Sequence, residues 1–488
     1  MKRMISYAPR IIALALFCLA APSIGSADPY GPGLLYPTGV EPGSASQCEA
    51  TGGKKCWWVD ADAPAGGNGT YASPYNSFET VVGYMNGGDY TQGQIGGGDY
   101  LYVKGTFSAS NHNTTSNSMI IRFARASQGG TASQPTVVKS WRGQPRAIFD
   151  GEYLLNDMIH VSALSGTANQ GVRIQNVEFT RSNGRGIYID DNVKNVEIVS
   201  VLVHDGKGDG IMGVGGGISV SMTSQLHTFS IKNSVFYNNK VNKSGSDNNV
   251  GAIGILSEGG AQTGSKITLV NNVIYDEVQG IRHKHSGNII TEAYYNDIKD
   301  CTNGFYLRAF NNDIHHNVIS NCQVGFFVEA ENQGGNQNSE IYFNTLYNTP
   351  EAVDTGYETT SYQRNINFHD NVYYNNSQSD GVITLGRWGS NPYTISQWTS
   401  SKNFFYNAAS QSFMFHQGAA KSFSNAMSYV SDGSSTNQQV QFENAAQGDF
   451  RLAIGSPGIG AGTGGADVGA RPAVTGGAPS PPTGLNAE

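Results

Sequence analysis

Two short stretches decide the fold: Asn272-Val273-Ile274 followed by Gly280-Ile281-Arg282-His283-Lys284, and Asn296-Asp297-Ile298 followed by Gly304-Phe305-Tyr306-Leu307-Arg308. Each has Asn, an apolar residue, a turn, then Gly and a short strand. The unit recurs at Asn317-Val318-Ile319 with Gly325-Phe326-Phe327-Val328-Glu329, at Asn344-Thr345-Leu346 and at Asn371-Val372-Tyr373, with weaker copies at Asn176-Val177 and Asn233-Ser234. The steps between the five Asn residues are 24, 21, 27 and 27 residues. That period is too short for a strand-helix-strand unit and carries no helical patterning. It fits one coil of three short strands and three turns, with coils stacked in register about 4.8 Å apart. Identical Asn residues then lie over one another, each amide bonding to the next. The expected fold is all-β, a right-handed parallel β-helix.

The rest of the chain agrees with an elongated repeat protein. It has 488 residues, 62 of them Gly, and 14% charged residues beside 38% hydrophobic ones, which excludes a disordered chain. Lys2, Arg3 and Arg10 precede the apolar run Ile11 to Ala21, and small residues lead to Gly25-Ser26-Ala27. This pattern reads as a secretory signal over 1–27, so the expected location is secreted or periplasmic, with no membrane anchor. Residues 28–165 read as an N-terminal cap and first coils, 166–425 as the helix core, 426–470 as a C-terminal coil or cap, and 471–488 as a Pro/Gly-rich tail. The formal net charge of −8 argues against nucleic acid as a partner. A monomer is expected. Cys48 and Cys56 flank a short Gly/Lys turn and suit a disulfide. Cys301 and Cys322 fall at matching places in two repeats and should stack, bonded or free.

The glycine-led segments define a candidate site. Aligned on Gly186, Gly210, Gly254, Gly280, Gly304 and Gly325, the first and third following residues are mostly apolar and point inward; the second and fourth point outward. The fourth position then reads Asp190, Val214, Glu258, Lys284, Arg308, Glu329, and the second reads Tyr188, Met212, Leu256, Arg282, Tyr306, Phe327. Exposed strand positions are often simply charged. Here a charge-poor chain places charges on four successive coils beside Tyr306 and Phe327, which suits an acidic polysaccharide lying along the helix. Cleaving a uronic-acid polymer by β-elimination needs a neutralised carboxylate, a base for the C5 proton and an acid for the departing oxygen. Lys284 is the candidate base, since a neighbouring cation lowers its proton affinity. Arg308 suits a clamp or donor. Tyr188, Arg282, His285, Tyr306, Phe327 and Glu329 are candidate substrate contacts, with His285 also an alternative base. Glu258 and Asp190 are candidate ligands for Ca²⁺. His283 should face inward. His315 and His316 suit turn packing, and Asp205 and Asp209 suit Gly-rich turns.

Over residues 55–470 the chain resembles the pectate-lyase-like superfamily of parallel β-helices. The resemblance rests on Trp58-Val59-Asp60 with Ala72-Ser73-Pro74, on Gly130 to Pro135, and on Gly455-Ser456-Pro457 with Asp467-Val468-Gly469-Ala470. Within it, Lys284 and Arg308 one coil apart are similar to the Lys/Arg pair of the alginate lyase and chondroitinase B family. That resemblance implies lysine as base, arginine as acid and Ca²⁺ neutralising the uronate. The family commonly has His after the arginine, where this chain has Ala309. Pectate lyases with an aspartate calcium site are a rival match through Asp190, Asp191, Asp205 and Asp209. Three other functions compete: a glycoside hydrolase, which needs paired carboxylates; a uronate C5-epimerase; and a non-catalytic polysaccharide-binding or surface protein.

Overall fold

The computed structural model describes residues 34–86, 89–112, 119–162, 171–190, 193–207, 217–222, 228–240, 251–257, 265–284, 289–307, 311–328, 337–355, 364–375, 382–385, 398–407, 412–416 and 419–473. The proposed signal segment and most of the tail lie outside them. Each coil contributes one strand to each of three long sheets, here sheets I, II and III. These hold twelve, eleven and twelve strands among the described residues. The strands within them pair in parallel, save the last pair of sheet III, where Met414–His416 meets Ala419–Lys421 antiparallel. The chain is a right-handed parallel β-helix.

The repeat unit now has a physical explanation. A strand of sheet I ends in one residue with positive φ, such as Asn271, Tyr295, His316, Phe343 or Asp370. The ladder Asn follows, and sheet II begins after it. Bulky Tyr295 (φ 55°) and Phe343 (φ 49°) are costly in this left-handed conformation and persist only where the surroundings hold them. The ladder supplies that hold. The Nδ2 of Asn272 donates to Oδ1 of Asn296 at 2.9 Å, Asn296 to Asn317 at 2.9 Å, Asn317 to Asn344 at 3.0 Å, and Asn344 to Asn371 at 3.1 Å. Asn371 continues it to Asn403 at 3.1 Å. Each acceptor oxygen also takes the backbone N–H of the preceding rung, as in Asn296 to Asn317 at 3.0 Å. These side chains are wholly buried, so each satisfied rung avoids an orphaned polar group.

Inside the coil, like stacks on like. Phe107, Phe149 and Phe179 stack at 5.6 and 5.3 Å, and Phe305 stacks on Phe326 at 5.3 Å. Both ends of this column are covered. Phe78, Val81, Val82 and Ile95 are buried at one end, with Phe78 4.6 Å from Phe107. The helix Phe423–Tyr429 covers the other, burying Ala426 and Met427. An N-terminal segment lies on the outside of sheet I, where buried Lys139 binds Glu41 and Glu49 at 2.7 Å each. The Cys48–Cys56 disulfide is formed. Cys301 and Cys322 are buried free thiols. A C-terminal strap returns along sheet II: Val440, Leu452 and Val468 pack with Val372 and Phe404, while Phe450 and Ala470 pack with Val318. Arg471 ends this contact by donating to the carbonyl of His316 at 3.0 Å.

Candidate functional site

Sheet III carries the candidate residues, and its pleat decides which way they face. Ile187, Ile218, Ile253, Ile281 and Phe305 stack in register and point into the coil. Ile189, Val220, Ile255, His283 and Leu307 form the next register row. His283 is inward as expected, fully buried, with Nδ1 2.9 Å from Thr291 Oγ1. The outward row between them runs His160, Tyr188, Ser219, Gly254, Arg282, Tyr306 and Phe327.

This register corrects the glycine-led alignment in two places. Gly186 is followed one coil later by Gly217, not Gly210, because Ile187 pairs with Ile218. Gly254 pairs with Arg282, so it stands where the alignment had put Leu256. The slot that demands a small residue is filled by Gly280 and Gly304 but by Ala252 in the coil before. A Cβ on Gly280 would meet the Gly304 carbonyl oxygen at 2.6 Å and Ile298 Cγ2 at 2.8 Å. Ala252 fits that row, and the glycine two residues later misled the alignment. Consequently Lys284 pairs with Leu256. Glu258 lies outside the described residues.

The centre of the outward row is enclosed. Arg282 is 1% exposed and Tyr306 2%, against the expectation of solvent-facing side chains. The Arg282 guanidinium carbon sits 5.5 Å from the Tyr306 ring centroid, and Tyr306 stacks on Phe327 at 4.9 Å and 12°. Phe327 is half-buried. Arg282 and Tyr306 are therefore a covered platform, not a surface on which a sugar ring can stack. Lys284 ends the Gln279–Lys284 strand. Arg308, Glu329 and His285 lie outside the described residues.

Three coils before Arg282, the same face holds a cluster built on Tyr188. The Arg185 guanidinium lies 3.8 Å from the Tyr188 centroid and binds Asp157 through Nε at 2.6 Å and Nη2 at 3.2 Å. His160 packs on Tyr188 at 4.7 Å, with Nε2 3.5 Å from Asp190 Oδ2. The sequence reading missed His160, Arg185 and Asp157. The usable signal was Asp157 and Arg185 at equivalent strand positions one coil apart.

Other singled-out residues fall elsewhere. His315 lies on sheet I and His316 in the turn after it, joined Nδ1 to Nδ1 at 2.7 Å. Burial, with His315 and Arg471 adding to it, holds His316 down to about 3. Asp205 lies in the turn after sheet II, 2.8 Å from His204 Nδ1 and 2.6 Å from Asn238 Nδ2. It thus lies apart from Asp190 on sheet III; Asp191 and Asp209 are outside the described residues. No group of three or more His, Cys, Asp or Glu side chains able to hold a metal comes together among the described residues. Inside the coil after sheet II, Asn239, Glu277 and Cys301 occupy matching positions on successive coils. Burial pushes the Glu277 carboxyl up to about 8.

The whole-chain geometry is similar to the crystal structure of pectate lyase Pel9A: TM-score 0.53, 17% identity, 88% of this chain and 99% of that chain covered. The likeness is one of fold, that of a right-handed parallel β-helix. A rhamnogalacturonan lyase superposes with TM-score 0.45 and 14% identity, covering 72% of this chain and 87% of that one. No family model and no curated protein sequence matches the chain. At these identities the likeness establishes architecture. Among the described residues no helix is long and apolar enough to cross a membrane.

Proposed function

We propose that this protein is a polysaccharide lyase that cleaves a uronic-acid-containing polymer by β-elimination on the outward face of sheet III. The observation that carries the reading is the register of two adjacent strands. Arg282 pairs with Tyr306 and His283 with Leu307, so the residues that follow in sequence on neighbouring coils are Lys284 and Arg308. A fold shared end to end with a pectate lyase supports the same chemistry.

The reaction asks for a base beside C5 and a donor beside the departing oxygen. Lys284 takes the C5 proton. The electron pair forms the C4–C5 double bond as the C4–O bond breaks, and the leaving oxygen gains a proton, for which Arg308 is the proposed donor. The Lys/Arg resemblance to the alginate lyase and chondroitinase B family supports these roles. His285, Glu329, Phe327 and Tyr188 remain proposed substrate contacts. Calcium belongs to the proposal as the group that would neutralise the substrate carboxylate. Asp190 is the described candidate ligand, and the described residues alone do not assemble a site, so no step is routed through the ion. Secretion is part of the same reading.

The test is to incubate the chain with a panel of uronate polymers and record ultraviolet absorbance, because the conjugated double bond of an elimination product absorbs. A rise with at least one polymer is expected. New reducing ends without absorbance would instead mark a hydrolase, and binding without either would mark a non-catalytic protein.

A further inference from the structure

We propose that Tyr188 and Asp190 form a distal subsite that holds one sugar unit of the polymer through its hydroxyls, with His160 and the Arg185–Asp157 pair as positioning residues beneath it. The inference rests on the reading of sheet III as the face that binds the polymer, and it adds a length requirement for the substrate.

The subsite is built on the strand Arg185–Ile189. Ile187 and Ile189 are buried in the coil, so Tyr188 points out, and Asp190, just past the strand end, follows it on the same side. The Tyr188 ring is held by two neighbours: the Arg185 guanidinium at 3.8 Å and the His160 ring at 4.7 Å. Arg185 is itself fixed on the buried carboxylate of Asp157 through Nε at 2.6 Å and Nη2 at 3.2 Å, a two-pronged pair that leaves it little freedom. With its ring so held, half-buried Tyr188 offers a ligand the hydroxyl at its outer tip. His160 completes the floor. It is 8% exposed, neither ring nitrogen has a hydrogen-bond partner, and Nε2 lies 3.5 Å from Asp190 Oδ2. An enclosed polar ring without a partner weakens a fold, and its retention calls for a reason. Here the ring packs on Tyr188 and meets Asp190, so it sets both outer groups. The Asp190 carboxylate is 37% exposed and within reach of a ligand. A phenol hydroxyl has one donor and two acceptor places and a carboxylate about four acceptor places, so partners within the protein leave room for a ligand at each. A hydroxyl and a carboxylate two positions apart on one side of a strand, on a rigid floor, match neighbouring hydroxyls of a sugar.

The subsite also lies in line with the proposed cleavage point. Tyr188, Ser219, Gly254 and Arg282 follow one another in register along the outward row of sheet III. Three rungs of about 4.8 Å put Tyr188 about 14 Å from Arg282. A fragment has to span that distance to touch both, which a single sugar unit does not.

The experiment measures binding and does not rely on turnover. Size-graded fragments of each uronate polymer, and their carboxyl-reduced counterparts, are titrated into the full chain by calorimetry. The titrations are run in chelator, so that a calcium ion on Asp190 does not contribute. Long fragments of at least one polymer should bind the wild type more tightly than short ones. Tyr188→Phe keeps the ring contacts and loses only the hydroxyl; it should shrink that gain by about five- to tenfold, the loss of one hydrogen bond. Carboxyl-reduced long fragments should lose the same factor, because the contacts are to hydroxyls. Arg185→Met, checked for an unchanged thermal melt, should weaken long fragments in the same way, and Arg185→Lys, which keeps a cation beside the ring, should retain most of the affinity. Equal affinity of the wild type for short and long fragments, or no binding at all, overturns the inference, and this result needs no variant to fold. A gain that survives unchanged in Tyr188→Phe also overturns it, as does a loss confined to the uronate forms. The two readings fail separately. A gain that depends on Tyr188 in a protein that makes no unsaturated product leaves the subsite and removes the lyase. Unsaturated product from a protein whose affinity ignores fragment length does the reverse.

Discussion

Replacing Glu277 by Gln should abolish a large alkaline loss of stability. Glu277 is 1% exposed; Asn239 donates to its Oε1 from the backbone at 3.1 Å and from Nδ2 at 2.8 Å. It occupies an amide-like rung in the interior, where the protonated carboxyl is the form that burial favours. Its affinity for the proton rises from the ordinary 4.5 to about 8. Between those values the native chain holds a proton that the unfolded chain has released. Stability attributable to this group is therefore complete below 4.5 and falls as pH rises through 8. Three and a half pH units at 1.36 kcal/mol each set an upper bound of about 5 kcal/mol. Urea unfolding of the wild type and of Glu277→Gln, at steps from pH 5 to pH 9, isolates the group, because the other titrations are common to both. The wild type should weaken relative to the variant by several kcal/mol across that range. A difference that stays flat with pH would refute the account of this rung.

Three further outcomes follow from the same geometry. Asn317→Leu removes an acceptor from Asn296 and a donor to Asn344 and the Ala293 carbonyl, and should cost roughly 3–5 kcal/mol in chemical denaturation. Because His316 is held neutral to about 3, the stability it contributes is present above pH 6.5 and lost as pH falls toward 3; His316→Phe should flatten the acid limb of a pH–melting curve. If calcium neutralises the substrate as proposed, a chelator should suppress formation of the unsaturated product and added Ca²⁺ should restore it, with Asp190→Asn raising the Ca²⁺ concentration required.

The fold was legible because its decisive signal is local and periodic. Asn272, Asn296, Asn317, Asn344 and Asn371 are buried polar residues that exist to bond one another, and no other chemistry explains them at that spacing. The site was legible only where the small-residue slot held glycine. Gly280 and Gly304 aligned Arg282 with Tyr306 correctly. Ala252 fills the same slot with a Cβ, which put Gly254 and Leu256 in the wrong rows. Outwardness was read correctly from alternation, but exposure was not. Whether an outward strand residue meets water depends on what covers the sheet, and the strand pattern around Arg282 and Tyr306 carries no record of that. The Arg185–Asp157 pair went unseen because it joins residues 28 apart in an early, irregular coil.

The central claim is that an acidic polymer is cleaved on the outward face of sheet III. Its most direct test is a crystal structure of Lys284→Ala soaked with an oligouronide that the wild type degrades. The account predicts the sugar chain along sheet III, with one uronate over the ends of the Gln279–Lys284 and Asn303–Leu307 strands. An oligosaccharide bound instead on the outer face of sheet I or sheet II, or full activity retained in Lys284→Ala, would contradict it.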